Sequence, residues 1–531
     1  MTSPPRSSGS GFLAAPLALI ESWPLAAVFI VLLAAAAAPI LATPVAPLAD
    51  FVNHLARMRV LADIDGDPGL AEIFRVEWAI IPNLTMDGLV PPLARLIGVY
   101  PAGQLFLVLT IALLASGPMV LHRSLTGVWS PWPLMVFPFI YNGVFLFGLV
   151  NYLFGVGLAT WGAAAWAGLL RRPLWTRAAL SMLLVPCLFF CHLFAVGLYG
   201  LAIFALETAR LAEGRRLPTL ETAKAALAVG LPFLPALYLL ALGPTMGLAG
   251  ENQWESIGKF DGLVMAMQAY SDLPDMAVTA LSLGGAVWLA RRAALSMAPA
   301  GLILALSLLA VYLAMPRMLF GSWLADQRLP AAAVFMLAGF VRFAPRGVFQ
   351  RNLLLAVILA ASITRFADVE VHWRALDAEV QEFRDSAALI GPGARVLVAY
   401  ADEAAAARTI DAAISHAPCV ATIERGAAVS TLFSEPGKQI LDLRPDYRGL
   451  VDAEDGEPPA VSRLLATVDG PQPAGARYWD RWPQRYDYLY VLYAEPGDPN
   501  PDPDHLSPLA HGRRFQLYAV RPEPLQDDLD L

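Results

Sequence analysis

Long apolar runs follow one another from about residue 24 to about residue 367 and then stop. The first clean run covers 24–42, and others lie near 103–121, 132–170, 178–211, 224–243, 276–290, 297–315, 329–343 and 352–367. Runs of this length with so few charges predict helices that cross a bilayer. Two are too long for one crossing: at 1.5 Å per residue, 132–170 would extend about 60 Å, twice a ~30 Å hydrocarbon core. That run is expected to fold back around 148–151, and 178–211 to turn near Cys191-His192, which gives about eleven transmembrane helices. The polar start of the chain, carrying Arg6, is read with the first run as a retained signal anchor, because the run exceeds the usual signal-peptide core and more spans follow.

After residue 367 the pattern changes, with Asp, Glu, Arg, Pro and Gly frequent and no further apolar run of spanning length. The chain therefore divides into a transmembrane domain, 1–367, which includes a long outer loop at 44–102, and a soluble α/β domain, 368–531. Within the latter, 377–390 reads as an amphipathic helix, and 394–400, 486–492 and 515–520 read as strands. The Pro-, Gly- and Asp-rich stretches 453–485 and 494–512 read as loops.

Composition agrees and excludes whole classes. Of 531 residues, 57% are hydrophobic and 15% charged, against roughly 45–50% and 25% in soluble domains, and the mean hydropathy is +0.54. An ordinary soluble enzyme is excluded. Three cysteines, two of them one helical turn apart in an apolar run, make no disulfide framework. A net charge of -8 without a basic stripe excludes a nucleic-acid partner. Arg6, Arg123, Arg171, Arg172, Arg177, Arg210, Arg215, Arg216, Lys224, Arg291, Arg292, Arg342, Arg346 and Arg351 cluster at span ends of one parity, and only Lys259, Arg317 and Arg328 at the other. The positive-inside rule then puts the N-terminus in the cytoplasm and both the long loop and the C-terminal domain outside. High Ala and Arg with little Lys suggests a bacterial chain, hence an inner-membrane protein with a periplasmic domain.

The long loop holds the most suggestive chemistry. Phe51, Leu55, Met58 and Ala62 make the apolar stripe of a helix lying on the membrane or against the bundle. Asp50, Asn53, His54 and Arg57, at i, i+3, i+4 and i+7, align a carboxylate, an amide, an imidazole and a guanidinium on the other face. Asp50 could equally cap this helix, with His54 and Arg57 solvated. Asn83 and Asp87 could face the same cluster, or mark the start of a second interfacial helix through Pro91-Pro92. Asn142, Asn151, Tyr152 and His192 fall at the two fold-backs, and Arg317, Asp326, Gln327 and Arg328 in the connection before the tenth span. Polar groups gathered at one membrane face mark a site, with helix-to-helix hydrogen bonding as the alternative for Asn142, Asn151 and His192.

This combination resembles the GT-C class of integral-membrane glycosyltransferases, which use polyprenyl-phosphate-linked sugars: an acidic residue after span one, a long first outer loop with interfacial helices, about eleven spans and an outer C-terminal domain. The stretch from Pro47 through Asp50, Asn53 and His54 to Arg57 also looks like one found in uncharacterised bacterial membrane proteins. The resemblance implies that Asp50 is the general base or orients the acceptor, and that Arg328, after Asp326-Gln327, is the basic residue beside the lipid phosphate. The acidic pair of many members is absent, which leaves metal dependence and acceptor class open. The expected partners are a polyprenyl-phosphate sugar, an envelope acceptor and membrane lipid; candidate substrate contacts are His54, Arg57, Asn83, Asp87, Asn142, Asn151, His192 and Arg328. A transporter or flippase, or a non-catalytic assembly protein, remain the alternatives. No P-loop, zinc signature, nucleophile elbow or dinucleotide fingerprint names a cofactor.

Overall fold

The computed structural model describes residues 14–213, 219–256, 258–402, 412–451, 458–468 and 477–521. Arg6, Arg215 and Arg216 lie outside them. Helix α1 (Ala14–Ala42) leads through an irregular stretch into α2 (Phe51–Asp63), α3 (Pro68–Ile73), strand β1 (Phe74–Val76) and α4 (Thr85–Ile97). The bundle continues with α5 (Val99–Thr126), α6 (Gly143–Leu146), α7 (Val150–Gly168), α8 (Leu174–Cys191), α9 (Leu193–Glu213), α10 (Thr219–Gly230), α11 (Leu234–Leu242), α12 (Gly258–Met265) and α13 (Asp272–Arg291). Strand β2 (Leu295–Met297), α14 (Pro299–Ala314), α15 (Arg328–Ala338), β3 (Val341–Phe343) and α16 (Val348–Ala387) complete it.

Among the described residues, six helices are long and apolar enough to cross a membrane: Pro24–Ala42, Val99–Thr126, Leu174–Cys191, Leu193–Glu213, Leu220–Leu242 and Asp272–Arg291. Pro299–Ala314 and Arg328–Ala338 are shorter apolar helices. The count falls short of the expected eleven because several apolar runs are not continuous α-helix. Helix α15 stops after eleven residues, and the rest of its run becomes β3, paired antiparallel with β2.

The first half of 132–170 shows why. Residues Trp132–Phe139 form a 3-10 helix containing Pro133 and Pro138, where missing N–H groups and ring clashes deny an α-helix its hydrogen bonds. The fold-back itself is where the pattern put it: Gly148, at φ +92°, makes the turn into α7. Helices α5 and α7 run parallel, since Leu113 packs on Gly157 and Gly117 on Thr160, so the intervening segment must return along the bundle. A Cβ on Gly157 would stand 2.7 Å from Leu113 Cβ, and this close approach needs glycine. The second fold-back also stands at His192, which is extended between α8 and α9.

Helix α16 runs for 40 residues without a break, about 60 Å. Residues 377–390, expected as a separate helix, are mostly its last turns. Beyond it come β4 (Arg395–Tyr400), α17 (Ala412–Ser415), α18 (Val420–Arg425), β5 (Ala428–Val429), β6 (Leu441–Leu443), α19 (Pro445–Arg448), α20 (Val461–Leu465), α21 (Trp482–Arg485), β7 (Tyr488–Leu492), β8 (Leu506–His511) and β9 (Phe515–Val520). The order β5-β4-β7-β9-β8 gives a mixed sheet, parallel at β5, β4 and β7 and antiparallel at β9 and β8. Strand β8 corrects the reading of 494–512 as loop: it pairs with β9 across a bulge between Pro508 and Ala510, an edge where proline is tolerated.

The C-terminal region is joined to the outer loop rather than tethered beside it. Strand β1 pairs with β6, Phe74 opposite Leu443, and Arg75 bonds Asp442 across the pair. One apolar core runs from α1, α2 and α5 to Val396, Val420 and Leu441. Helix α2 is therefore covered on both faces, with only Arg59 and Asp63 partly exposed.

Candidate functional site

Asp50 immediately precedes α2, where a side-chain cap would be expected, yet its carboxylate makes no capping bond and its backbone is helical (φ -88°, ψ -6°). Its backbone is fixed instead by the 146–148 turn: Ala49 N–H donates to the Leu146 carbonyl at 3.0 Å and Asp50 N–H to that of Phe147 at 3.1 Å. Gly148 lies directly against it, so close that an added Cβ would be 2.9 Å from the Asp50 nitrogen. The carboxylate is left without a local duty. Burial pushes its pKa up to about 7, while the positive charge of Arg328 pulls the other way.

Arg328 is the first residue of α15 and is buried. Its Nη1 stands 3.1 Å from His192 Nε2, its Nη2 donates to the Trp323 carbonyl, and the guanidinium lies over the Phe194 ring at 5.8 Å. Its Nε has no partner. His192 Nδ1 also faces the Phe194 N–H at 3.2 Å, and a neutral imidazole accepts at only one nitrogen. Tyr152 donates to the Arg328 carbonyl at 3.1 Å and fixes this end of α15.

The other buried arginines all have acids: Arg57 with Asp87, Arg177 with Glu207, Arg317 with Asp326 and Arg365 with Asp275. Arg328 alone among them, within the described residues, has no carboxylate within 4 Å. A buried cation lacking an anion is costly, which marks a place for an anionic ligand. Lys259 shares Asp326 with Arg317, at 2.8 Å and 3.3 Å, and adds positive charge in the same connection.

The remaining expected residues divide into two kinds. Arg57 and Asp87 form a bidentate pair, 2.9 Å and 3.1 Å, with side chains only 1% exposed, and clamp α2 to α4. Asn142 caps α6, its Oδ1 accepting from Val144 and Phe145 N–H. Asn151 holds the start of α4, donating to the Asn83 carbonyl at 3.0 Å and accepting from Met86 N–H at 2.9 Å; Asn83 takes a positive φ of 76° there. These four side chains, together with the Asn83 backbone, serve the fold itself. His54 differs: it is buried, its Nδ1 is unpartnered, and burial with Arg57 and His416 nearby keeps it well below the usual imidazole range.

One residue escaped the sequence reading. His416, just after α17, places Nε2 at 3.8 Å from Asp50 Oδ1, and burial lowers its pKa to about 4. Nothing in the spacing links positions 50 and 416; only the packing of the C-terminal region on α2 does. Among the described residues, no three His, Cys, Asp or Glu side chains converge as a metal site. A surface cleft lined by Arg59, Asp63, Asp65, Asp67 and Arg95 carries ion pairs among those charges.

No family model matches the sequence, and no curated protein matches it. The fold does have a solved counterpart, the crystal structure of ArnT from Cupriavidus metallidurans bound to undecaprenyl phosphate. It superposes with a TM-score of 0.53 at 13% identity, covering 93% of this chain and 98% of that one. At this identity the likeness shows the fold: the chain shares the overall fold of that protein, while the expected count of about eleven spans is not reached among the described residues.

Proposed function

We propose that the protein is a membrane glycosyltransferase that moves a sugar from a polyprenyl-phosphate donor to a hydroxyl of an envelope acceptor, at the outer face of a bacterial inner membrane. The observation that carries this reading is that an uncapped carboxylate titrating near neutrality, Asp50, lies within the electrostatic reach of a buried guanidinium that has no acid in contact with it, Arg328. The fold relative bound to undecaprenyl phosphate supports a lipid of that class.

The chemistry follows from what each group can do. The donor's polyprenyl chain lies in hydrocarbon and its phosphate at the interface, where Arg328 gives charge-assisted hydrogen bonds to phosphate oxygens. The acceptor oxygen attacks the anomeric carbon as the bond from that carbon to the phosphate oxygen breaks; the acceptor proton passes to Asp50, and polyprenyl phosphate leaves with the electron pair. Charge grows on the leaving phosphate in the transition state, so a fixed guanidinium lowers the barrier more than it aids ground-state binding. A single displacement inverts the anomeric centre. A pKa near 7 suits a base working near neutral pH.

The test is transfer by purified protein in detergent from a polyprenyl-phosphate sugar, followed as released polyprenyl phosphate. Detergent has no sealed compartment, so a carrier would score nothing. Asp50→Asn is expected to lose about 10²–10⁴-fold, the range for a general base. Transfer at the wild-type rate by Asp50→Asn removes the assigned base.

A further inference from the structure

Asn53 is hydrogen-bonded in a way that leaves no choice of orientation. Its Oδ1 accepts from the Phe433 N–H at 2.8 Å, and its Nδ2 donates to the Thr431 carbonyl at 2.7 Å. Turning the amide over would set N–H against N–H and oxygen against oxygen, so the assignment is dictated by the backbone of the C-terminal region. The second Nδ2 hydrogen points at His416 Nδ1, 3.1 Å away. That ring nitrogen must therefore accept, and the single proton of the neutral ring resides on Nε2. Nε2 is the atom that faces Asp50 Oδ1 at 3.8 Å. The ring is held edge-on against Phe433, with centroids 4.8 Å apart, and both side chains are largely withdrawn from water, at 14% and 16% exposure.

We propose that His416 is the positioning residue of the site: a neutral imidazole, its tautomer set by Asn53, that presents Nε2–H to the Asp50 carboxylate and so lets the C-terminal region govern the orientation and proton affinity of the base. This deepens the reading given above and rests on it for the word base; the contact between the two side chains does not. At 3.8 Å the pair is about 1 Å wider than a hydrogen bond, and such contacts commonly tighten when substrate binds. A donor to the ionised form favours ionisation, so His416 opposes the burial that holds Asp50 protonated. Asp50 feels the charge of Arg328 from α15 and is faced by His416 from the C-terminal region; His416 is faced by Asp50, Asn53 and His54. Arg57 lies a further turn along α2 and is neutralised by Asp87. His54 is buried and neutral, so Arg328 is the charge that favours the carboxylate, and His416 is the donor that this proposal adds to it.

The experiment is an infrared pH titration of the full-length protein in detergent, following the carbonyl stretch of the protonated Asp50 carboxyl, assigned by its loss in Asp50→Asn. In the wild type the band is expected to disappear as pH rises through about 7. In His416→Phe, which keeps bulk and loses the donor, it should persist upward by about one pH unit, a tenfold gain in proton affinity. His416→Gln, with an amide N–H in reach, should titrate close to wild type. His416→Gly should shift like His416→Phe and return on addition of free imidazole, which separates loss of the donor from loss of fold. A midpoint unmoved in both His416→Phe and His416→Gly overturns the proposal, whether or not the protein transfers sugar. Absence of transfer by wild type, with the shifts present, would overturn the glycosyltransferase reading and leave this one standing.

Discussion

At the scale of single residues, the site is defined by which side chains the protein does not use for itself. Asp50 was legible because an acidic residue opens an amphipathic helix just after the first span; the alternative, that it caps the helix, fails on its missing capping bond. Protonated Asp50 cannot accept a proton, so transfer should be low below pH 7 and rise as the pH passes about 7. The acid limb of the pH–rate profile checks this, and a limb near the ordinary carboxylate value, ~4, would contradict it. Arg328→Ala removes the one buried arginine that, among the described residues, has no acid within 4 Å, and on the proposed reading should weaken donor affinity, whereas Arg328→Lys keeps charge without the planar fork and should recover part of it. Arg57 and Asp87 looked in the sequence like two separate polar contacts. Buried together, they predict that Arg57→Met alone or Asp87→Leu alone costs about 3–5 kcal/mol, while the double substitution recovers stability. Thermal unfolding in detergent reads this, and equal losses in single and double variants would refute it.

At the scale of elements, the apolar pattern located both fold-backs and helices α2 and α4, and it expected about eleven spans where six helices of spanning length and apolarity stand among the described residues. The reason is visible in Pro131, Pro133 and Pro138: hydropathy registers that a segment is buried in hydrocarbon or protein, but not whether its backbone closes an α-helix. Helix α2 presents the converse case. Its polar stripe is no solvated face, because Asn53 and His54 are covered by residues 416–433, some 360 positions away along the chain. The turn that seats Asp50 makes a sharper prediction. Gly148 has φ +92° and no room for a Cβ, so Gly148→Ala must push the 147–149 turn and Asp50 apart. Transfer should fall by at least an order of magnitude, in line with the sensitivity of catalysis to ~1 Å misplacement, while the protein still elutes as a folded species. Full activity in Gly148→Ala would mean that the turn does not set the position of the carboxylate.

For the whole molecule, composition led to an expected division at residue 367 into a membrane part and a C-terminal part, but α16 runs unbroken across that position and the fusion of the two parts was not readable. Strand β1 from the outer loop completes a pair with β6, Arg75 bridges to Asp442, and one core crosses the boundary. Such contacts join residues distant in sequence and leave no local periodicity. With the two parts sharing one core, a charge buried within the bundle acts on the stability of the described chain as a whole. Arg328 lacks an acid of its own and has an unpartnered Nε, so a bound phosphate relieves a cost that the empty protein carries. A ligand that binds only the folded state at about 100 times its Kd adds about 2.7 kcal/mol. Undecaprenyl phosphate should therefore raise the unfolding temperature in detergent, and undecaprenol, with the same chain and no charge, should raise it far less. In Arg328→Ala the difference between the two lipids should vanish, because what remains is burial of the same hydrocarbon. Equal stabilisation by both lipids in the wild type would show that the protein holds the chain and not the phosphate, and Arg328 would then have to be accounted for by the interior alone.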